Sequence, residues 1–283
     1  MAGFLLASMA GGNVRWWRLA PAVAVSVLLY AAGLIQNDLA HVADDSRHRP
    51  ERPLPSGTVS GGSARLVLCV LAVLAMAAAG ATRVAATCHL AFALLVLITL
   101  YNHVTSRVRV LGPINMGLCR AVSLLVGASA VGGWASVLAP LYITAGWVLF
   151  AYVAAVTAIA QKETTATRIG PIRWLPAMTL VVGFGALHLY AVTTVSAHLL
   201  PLLLGAIAVS DVAIIWSLLC GWRLGGICQP QRVGQTIGMW VRGLLPIQAA
   251  LVGVAVGEGS WVAAGLLAAW AVSGLLARRF ASS

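Results

Sequence analysis

Long apolar runs dominate the chain, cut by short polar breaks. They fall at 1–12, 19–36, 63–81, 84–104, 112–132, 138–160, 174–194, 198–219, 234–256 and 260–277. A helix needs about 20 mostly apolar residues to cross a bilayer. Every run but the first comes near that length. The pattern predicts an all-α, polytopic transmembrane helical bundle of about nine spans. The first run is too short to span. It reads as a half-helix, or as a first helix that looks truncated. The whole chain, 1–283, reads as a single transmembrane domain.

The breaks alternate in character. Longer polar connections fall at 37–62, 105–111, 161–173 and 220–233, and those between them are short. Lys and Arg set membrane orientation. With 37–62 on the cytoplasmic side, 15 basic residues lie inside, against Arg15, Arg18 and Arg83 outside. Both termini are then cytoplasmic. The protein is expected in a cytoplasmic membrane of bacterial type, with its longer polar loops, where any chemistry would take place, facing the cytoplasm. Trp16 and Trp17, beside Arg15 and Arg18, suit an outer interfacial belt.

Composition narrows the classes. The chain is 60% hydrophobic and only 9% charged, with a mean hydropathy of +0.94. Soluble domains carry nearly three times that share of charge. The net charge of +11 does not imply nucleic acid, because the basic residues stand singly at the ends of apolar runs, with no basic face to lie on a duplex. The five cysteines form no CxxC pair and read as small hydrophobes. The first run lacks the basic start of a cleavable signal peptide.

Against this background the stretch NDLAHVADDSRHRPERPLPSG, 37–57, stands apart. It holds Asp38, Asp44, Asp45 and Glu51, four of the seven acidic residues. Acidic groups beside a bilayer are costly and point to function. On a helix continued past Gln36, Asn37, His41 and Asp45 share one face, and Asp38 lies near it. Carboxylate and amide oxygens suit Mg²⁺, which is typically held by one or two carboxylates plus substrate phosphates. Arg47, Arg49 and Arg52 offer forks for phosphate oxygens. The Pro-Leu-Pro-Ser-Gly run then turns the chain back. From the residues alone, a solvated juxtamembrane loop with balanced charge fits the stretch as well.

The same residues resemble the first aspartate-rich motif of the UbiA superfamily of intramembrane prenyltransferases, N-D-x-x-D-x-x-x-D followed by R-P-(L/I)-x-S-G. The match runs through Asn37, Asp38, Asp45, Arg52, Pro53, Leu54, Ser56 and Gly57, and Tyr30 and Gly33 fit the approach to it. Tyr101, Arg107 and Arg109 resemble the family's second cytoplasmic loop, and Asn115, Gly117 and Arg120 open the next helix. The resemblance implies an enzyme that binds Mg²⁺ and an isoprenyl diphosphate donor. It passes the prenyl group to an aromatic or other small lipid acceptor and releases diphosphate. It implies catalytic roles for Asn37, Asp38 and Asp45, with Asp44 and His41 as further metal ligands. Donor or acceptor contacts fall to Arg52, Tyr101, Arg107, Arg109, Asn115, Arg120 and Lys162.

The sequence departs from the pattern twice. His41 stands where the family has its central aspartate, and imidazole is a poor ligand for a hard cation. The third cytoplasmic loop, AIAQKETTATRIGP, has Glu163 as its sole acid, where the family carries a second aspartate-rich motif. Lys162, Arg168 and Arg173 are candidate cation substitutes there. A weakened second motif resembles a divergent, EboC-like branch tied to metabolite export as well as prenyl transfer. Two alternatives stay open: a terpene cyclase using the same ionisation site, and a non-catalytic or transport-linked lipid-binding protein. Within the spans, Asp211 is expected to pair with Arg120 or Arg242.

Overall fold

The computed structural model describes residues 2–9, 15–163, 166–194, 200–254 and 259–280. The apolar runs become helices: α1 (Ala2–Met9), α2 (Leu19–Ala40), α3 (Val42–His48), α4 (Gly61–Ala81), α5 (Ala85–His103), α6 (Leu111–Leu138), α7 (Pro140–Ala160), α8 (Leu175–Thr194), α9 (Leu200–Arg223), α10 (Pro230–Arg242), α11 (Leu244–Val254) and α12 (Gly259–Phe280). Backbone polar groups in hydrocarbon must be satisfied within the segment, which the helix does. Eight spans among the described residues are long and apolar enough to cross a membrane, and a shorter apolar helix covers Val262–Ala277. Large apolar side chains such as Leu66, Val73 and Val182 point outward, about two-thirds exposed. A surface of that kind suits lipid rather than water.

Three elements differ from the sequence pattern. The fifth run extends to Leu138, because α6 passes through a kink at Gly132 and Gly133, where Gly133 takes φ 62°. The ninth run begins earlier, at Pro230. It is bent at Gly243 into α10 and α11, which together make one span. The first run forms only the eight-residue α1. Phe4, Leu6 and Ala7 of α1 are fully buried, in the same cluster as Leu124 and Ala128 of α6.

Glycine sets the closest approaches. A Cβ on Gly3 would strike the Leu124 carbonyl, and one on Gly127 would come 2.8 Å from the Phe4 amide nitrogen. Small residues let helix backbones approach in membranes, where apolar driving force between helices is absent. Interior polar groups are paired between α7, α9 and α10. The Tyr152 hydroxyl donates to the Trp240 carbonyl at 2.8 Å, and Trp240 Nε1 donates to Ser217 Oγ at 3.1 Å.

The loops sort to two ends of the bundle. At one end Arg18 and Arg83 both lie over the Trp17 ring, at 5.3 and 5.8 Å from its centroid. At the other, β1 (Thr167–Arg168) pairs antiparallel with β2 (Ile227–Cys228), joining two of the longer connections. A Cβ on Gly112 would sit 3.2 Å from Gln161 Nε2, so the 104–110 loop meets the end of α7 there. Arg18 and Arg83, which the sequence assigns to one side, thus lie at the opposite end from Arg168. With Glu51→Cys and Arg83→Cys in sealed cells, an impermeant maleimide is expected to label Arg83→Cys alone. Labelling of Glu51→Cys instead would invert the orientation.

Candidate active site

The acidic stretch is built on the end of α2. Asn37 and Asp38 lie in its last turn. At His41 the backbone leaves the helix (φ −111°, ψ 11°), so the helix expected to continue unbroken is kinked there. The i→i−4 bonds still carry across. His41 N donates to the Asn37 carbonyl at 3.1 Å, and Asp45 N to the His41 carbonyl at 2.9 Å. Asp45 therefore stays about two turns beyond Asp38. Beyond α3, the prolines at 50, 53 and 55 block helix continuation. Gly57 takes φ 77°, a left-handed conformation that glycine adopts freely. Ser60 then caps α4 by accepting from Ser63 N at 3.0 Å.

This turn returns Arg52 to the helix end. Its Nη1 lies 2.8 Å from Asp45 Oδ2 and 3.6 Å from Asp38 Oδ1. Two carboxylates seven residues apart thus converge on one cationic nitrogen. Asp45 is the more enclosed, its side chain 14% exposed against 52% for Asp38. His41 and Asp44 contact each other, Nδ1 to Oδ2 at 3.7 Å. Among the described residues no group of three or more His, Cys, Asp and Glu side chains is close enough to hold a metal ion. The site instead offers two carboxylates and the Asn37 amide. That set fits a Mg²⁺ that keeps several waters, and Arg52 shows that both carboxylates reach a shared cation.

Asn37 also lines a cavity of about 170 Å³ between α2, α5 and α6. Tyr30, Gly33, Tyr101, Asn102 and Arg120 share its wall. Asn102 is buried and donates to the Gly33 carbonyl at 3.2 Å and to Gln36 Oε1 at 3.3 Å. The Gln36 amide in turn meets Thr99 Oγ1 and His103 Nε2, each at 3.3 Å. This network fixes α2 against α5 beside the acidic end. Gln36 was not singled out in the sequence, where a lone amide ending an apolar run was its only signal.

The other expected contacts are spread around this end. Asn115 is buried and donates to Thr105 Oγ1 at 2.9 Å, so its amide anchors the 104–110 loop. Arg107 and Arg109 are exposed on that loop, and Lys162 is half-buried past the end of α7. Glu163 packs with Oε1 against Gly234 of α10. The expected pairing of Asp211 does not form. None of the ion pairs among the described residues involves it. The buried stripe of α9 runs through Ala206, Ser210, Ala213, Ser217 and Cys220, at steps of three and four residues, and Asp211 falls off that stripe and is exposed. Hydropathy located the span but not its rotation.

The sequence profile of the UbiA prenyltransferase family matches residues 1–232. The chain belongs to the UbiA family. The match runs from α1 into α10 and so includes both the acidic end of α2 and the loops that face it. The fold is similar to that of a UbiA homologue from Aeropyrum pernix K1 in its apo state. That likeness has a TM-score of 0.66 at 16% identity, over 89% of this chain and 94% of that one. A structure of digeranylgeranylglyceryl phosphate synthase is similar with a TM-score of 0.54 at 14% identity, over 90% and 91%. At such identities the likeness establishes the UbiA fold. No curated protein matches the chain in sequence.

Proposed function

We propose that this UbiA-family protein is a Mg²⁺-dependent intramembrane prenyltransferase, moving an isoprenyl group from an isoprenyl diphosphate to a small acceptor. The observation that carries the reading is the convergence of Asp38 and Asp45 on Arg52, at the mouth of a cavity whose wall includes Asn37. Asn37, Asp38 and Asp45 would hold the ion, which when bound would supply positive charge for the developing diphosphate leaving group.

The protein's own groups do the rest. Arg52, Arg107, Arg109 and Lys162 present cations at this end for the charge that builds on the departing diphosphate. As the allylic C–O bond breaks, its electron pair leaves with diphosphate. The acceptor forms the new bond to the allylic carbon and loses a proton. Tyr101, in the last turn of α5, gives the cavity mouth an aromatic face, which favours a nearby cation.

The purified protein, offered geranyl to long polyprenyl diphosphates with a panel of acceptors, is expected to release diphosphate only with Mg²⁺. Products heavier by acceptor plus prenyl group mark transfer, and isomeric hydrocarbons mark cyclisation. No release with any donor and acceptor overturns the reading.

Arg52 has two opposed roles here, as counter-ion to the carboxylates and as diphosphate ligand. Arg52→Gln is therefore expected to tighten binding of the free metal several-fold and to weaken diphosphate binding about tenfold. Calorimetric titration with Mn²⁺ and with a thiolodiphosphate analogue reads both.

A further inference from the structure

Asp211 stands in the middle of α9, eleven residues from Leu200 and twelve from Arg223. That is about 17 Å from either end at 1.5 Å per residue, too deep for so short a side chain to reach water. It faces out of the bundle and is exposed, and no ion pair among the described residues includes it. It lines neither the cavity beside Asn37 nor a larger one, of about 380 Å³, beside Gly3, Leu149 and Gln248. Intramembrane carboxylates almost always face a bundle interior or a water-filled cavity, and pair there. Lipid tails offer Asp211 no such partner.

A base lies at the same depth. His188 of α8 meets Ser210, the residue before Asp211, with 3.3 Å between Nε2 and Ser210 Oγ. Ser210 Oγ itself donates to the Ile207 carbonyl at 2.7 Å. The imidazole is therefore the donor to Ser210, and its Nδ1 keeps a lone pair. The Phe184 ring lies at 17° to the imidazole, with centroids 6.1 Å apart, and steadies its plane. Asp211 is close enough to act on the imidazole electrostatically. An acid and a base thus share one layer of the membrane, on adjoining helices.

The face around Asp211 has the form of a helix seam. Leu204, Ala208, Asp211, Ile215, Leu218 and Trp222 are all exposed, at alternating steps of four and three residues. That is the spacing of a seam between two helices, and a single polar residue within one fixes its register. Ala208, one turn from Asp211, is small enough to let backbones approach.

We infer that this face joins two copies of the chain about a twofold axis along the membrane normal, with the Asp211 carboxyl of each copy bonded to Nδ1 of His188 of the partner subunit. Copies inserted the same way keep equal residues at equal depth, and a twofold contact needs a surface that complements itself. One acid beside one base meets that need. A foreign helix bringing a lone cation would use the carboxylate and leave the imidazole unpaired. Each contact shares one proton, so it carries no net charge into the bilayer.

Energy transfer between donor-tagged and acceptor-tagged copies in phosphatidylcholine vesicles, over a series of protein-to-lipid ratios, reads the association. The unaltered protein is expected to give the curve of a dimer. Asp211→Leu and His188→Leu each remove both symmetric contacts, and each is expected to weaken association about tenfold or more. Their thermal unfolding should stay near that of the unaltered protein, since leucine suits a lipid-facing position. The exchange Asp211→His/His188→Asp is expected to restore part of the association. Under mild oxidation Ile215→Cys, in the seam, is expected to form covalent dimers beyond those of the unaltered protein, and Val73→Cys, facing outward on α4, is not.

Monomers at every ratio overturn the inference. So does association that survives both leucine variants, and so do covalent dimers from Val73→Cys but not from Ile215→Cys.

Discussion

Asp45→Asn is expected to lower Mg²⁺-dependent diphosphate release about 100-fold or more, with the protein still folded. Asparagine keeps the shape and one oxygen but removes the charge. Asp45 holds the shorter contact to Arg52 and is the more enclosed of the two carboxylates. Its charge is thus less screened, and its loss weakens both the metal and the orientation of Arg52. Removing one such electrostatic group from an active site commonly costs about 100- to 1,000-fold in rate. Stability should change little, since a partly exposed ion pair is worth about 0–1 kcal/mol. Asp44→Asn is the control. Its side chain is 68% exposed, and its effect is expected to stay within about threefold. Equal losses in the two variants would point to general charge at the membrane surface rather than to a site.

The second large effect is structural. Gly117→Val is expected to destabilise the bundle by about 2–3 kcal/mol. A Cβ at Gly117 would lie 2.6 Å from the Phe150 carbonyl oxygen and 3.2 Å from Ala154 Cβ. Backbone stands in the way, so α6 and α7 must separate. The shift would move Met116, the adjacent residue, and Arg120, about one turn on, out of the cavity wall. Thermal unfolding in detergent should show a clear drop in melting temperature and a loss of donor binding. Gly185→Val, on α8 with nothing within 4 Å, should leave both close to their original values.

How much of this was legible depended on the physical signal. Apolar length is a strong signal, and it located nearly every span. The turn at 53–57 was also readable, because proline and glycine act locally. Rotation of a helix about its axis was not. The α9 run is apolar nearly all round, so nothing in its pattern said that Asp211 would face away from Arg120. The kink at His41 was hidden too, because a single imidazole in a polar stretch breaks no period. The role of Gly117 was invisible in one dimension, since only the partner backbone of α7 makes it necessary. The clustering of Asp38, Asp45 and Arg52 was half legible. Spacing placed the carboxylates near one face, but only the folded turn returns Arg52 to them.

The third loop completes that comparison. Its sole acid, Glu163, packs against Gly234, and the ribbon of β1 and β2 ties the loop to the 224–229 connection. In the proposed reading, the metal would then be held at the end of α2 alone.

The most direct test is pulsed electron paramagnetic resonance with Mn²⁺ in place of Mg²⁺ and a geranyl thiolodiphosphate that cannot ionise readily. The account predicts one Mn²⁺ per chain, a ³¹P coupling strong enough to require direct coordination by the diphosphate, and loss of both in Asp38→Asn/Asp45→Asn. Two bound ions, or a ³¹P coupling that persists without those carboxylates, would contradict it.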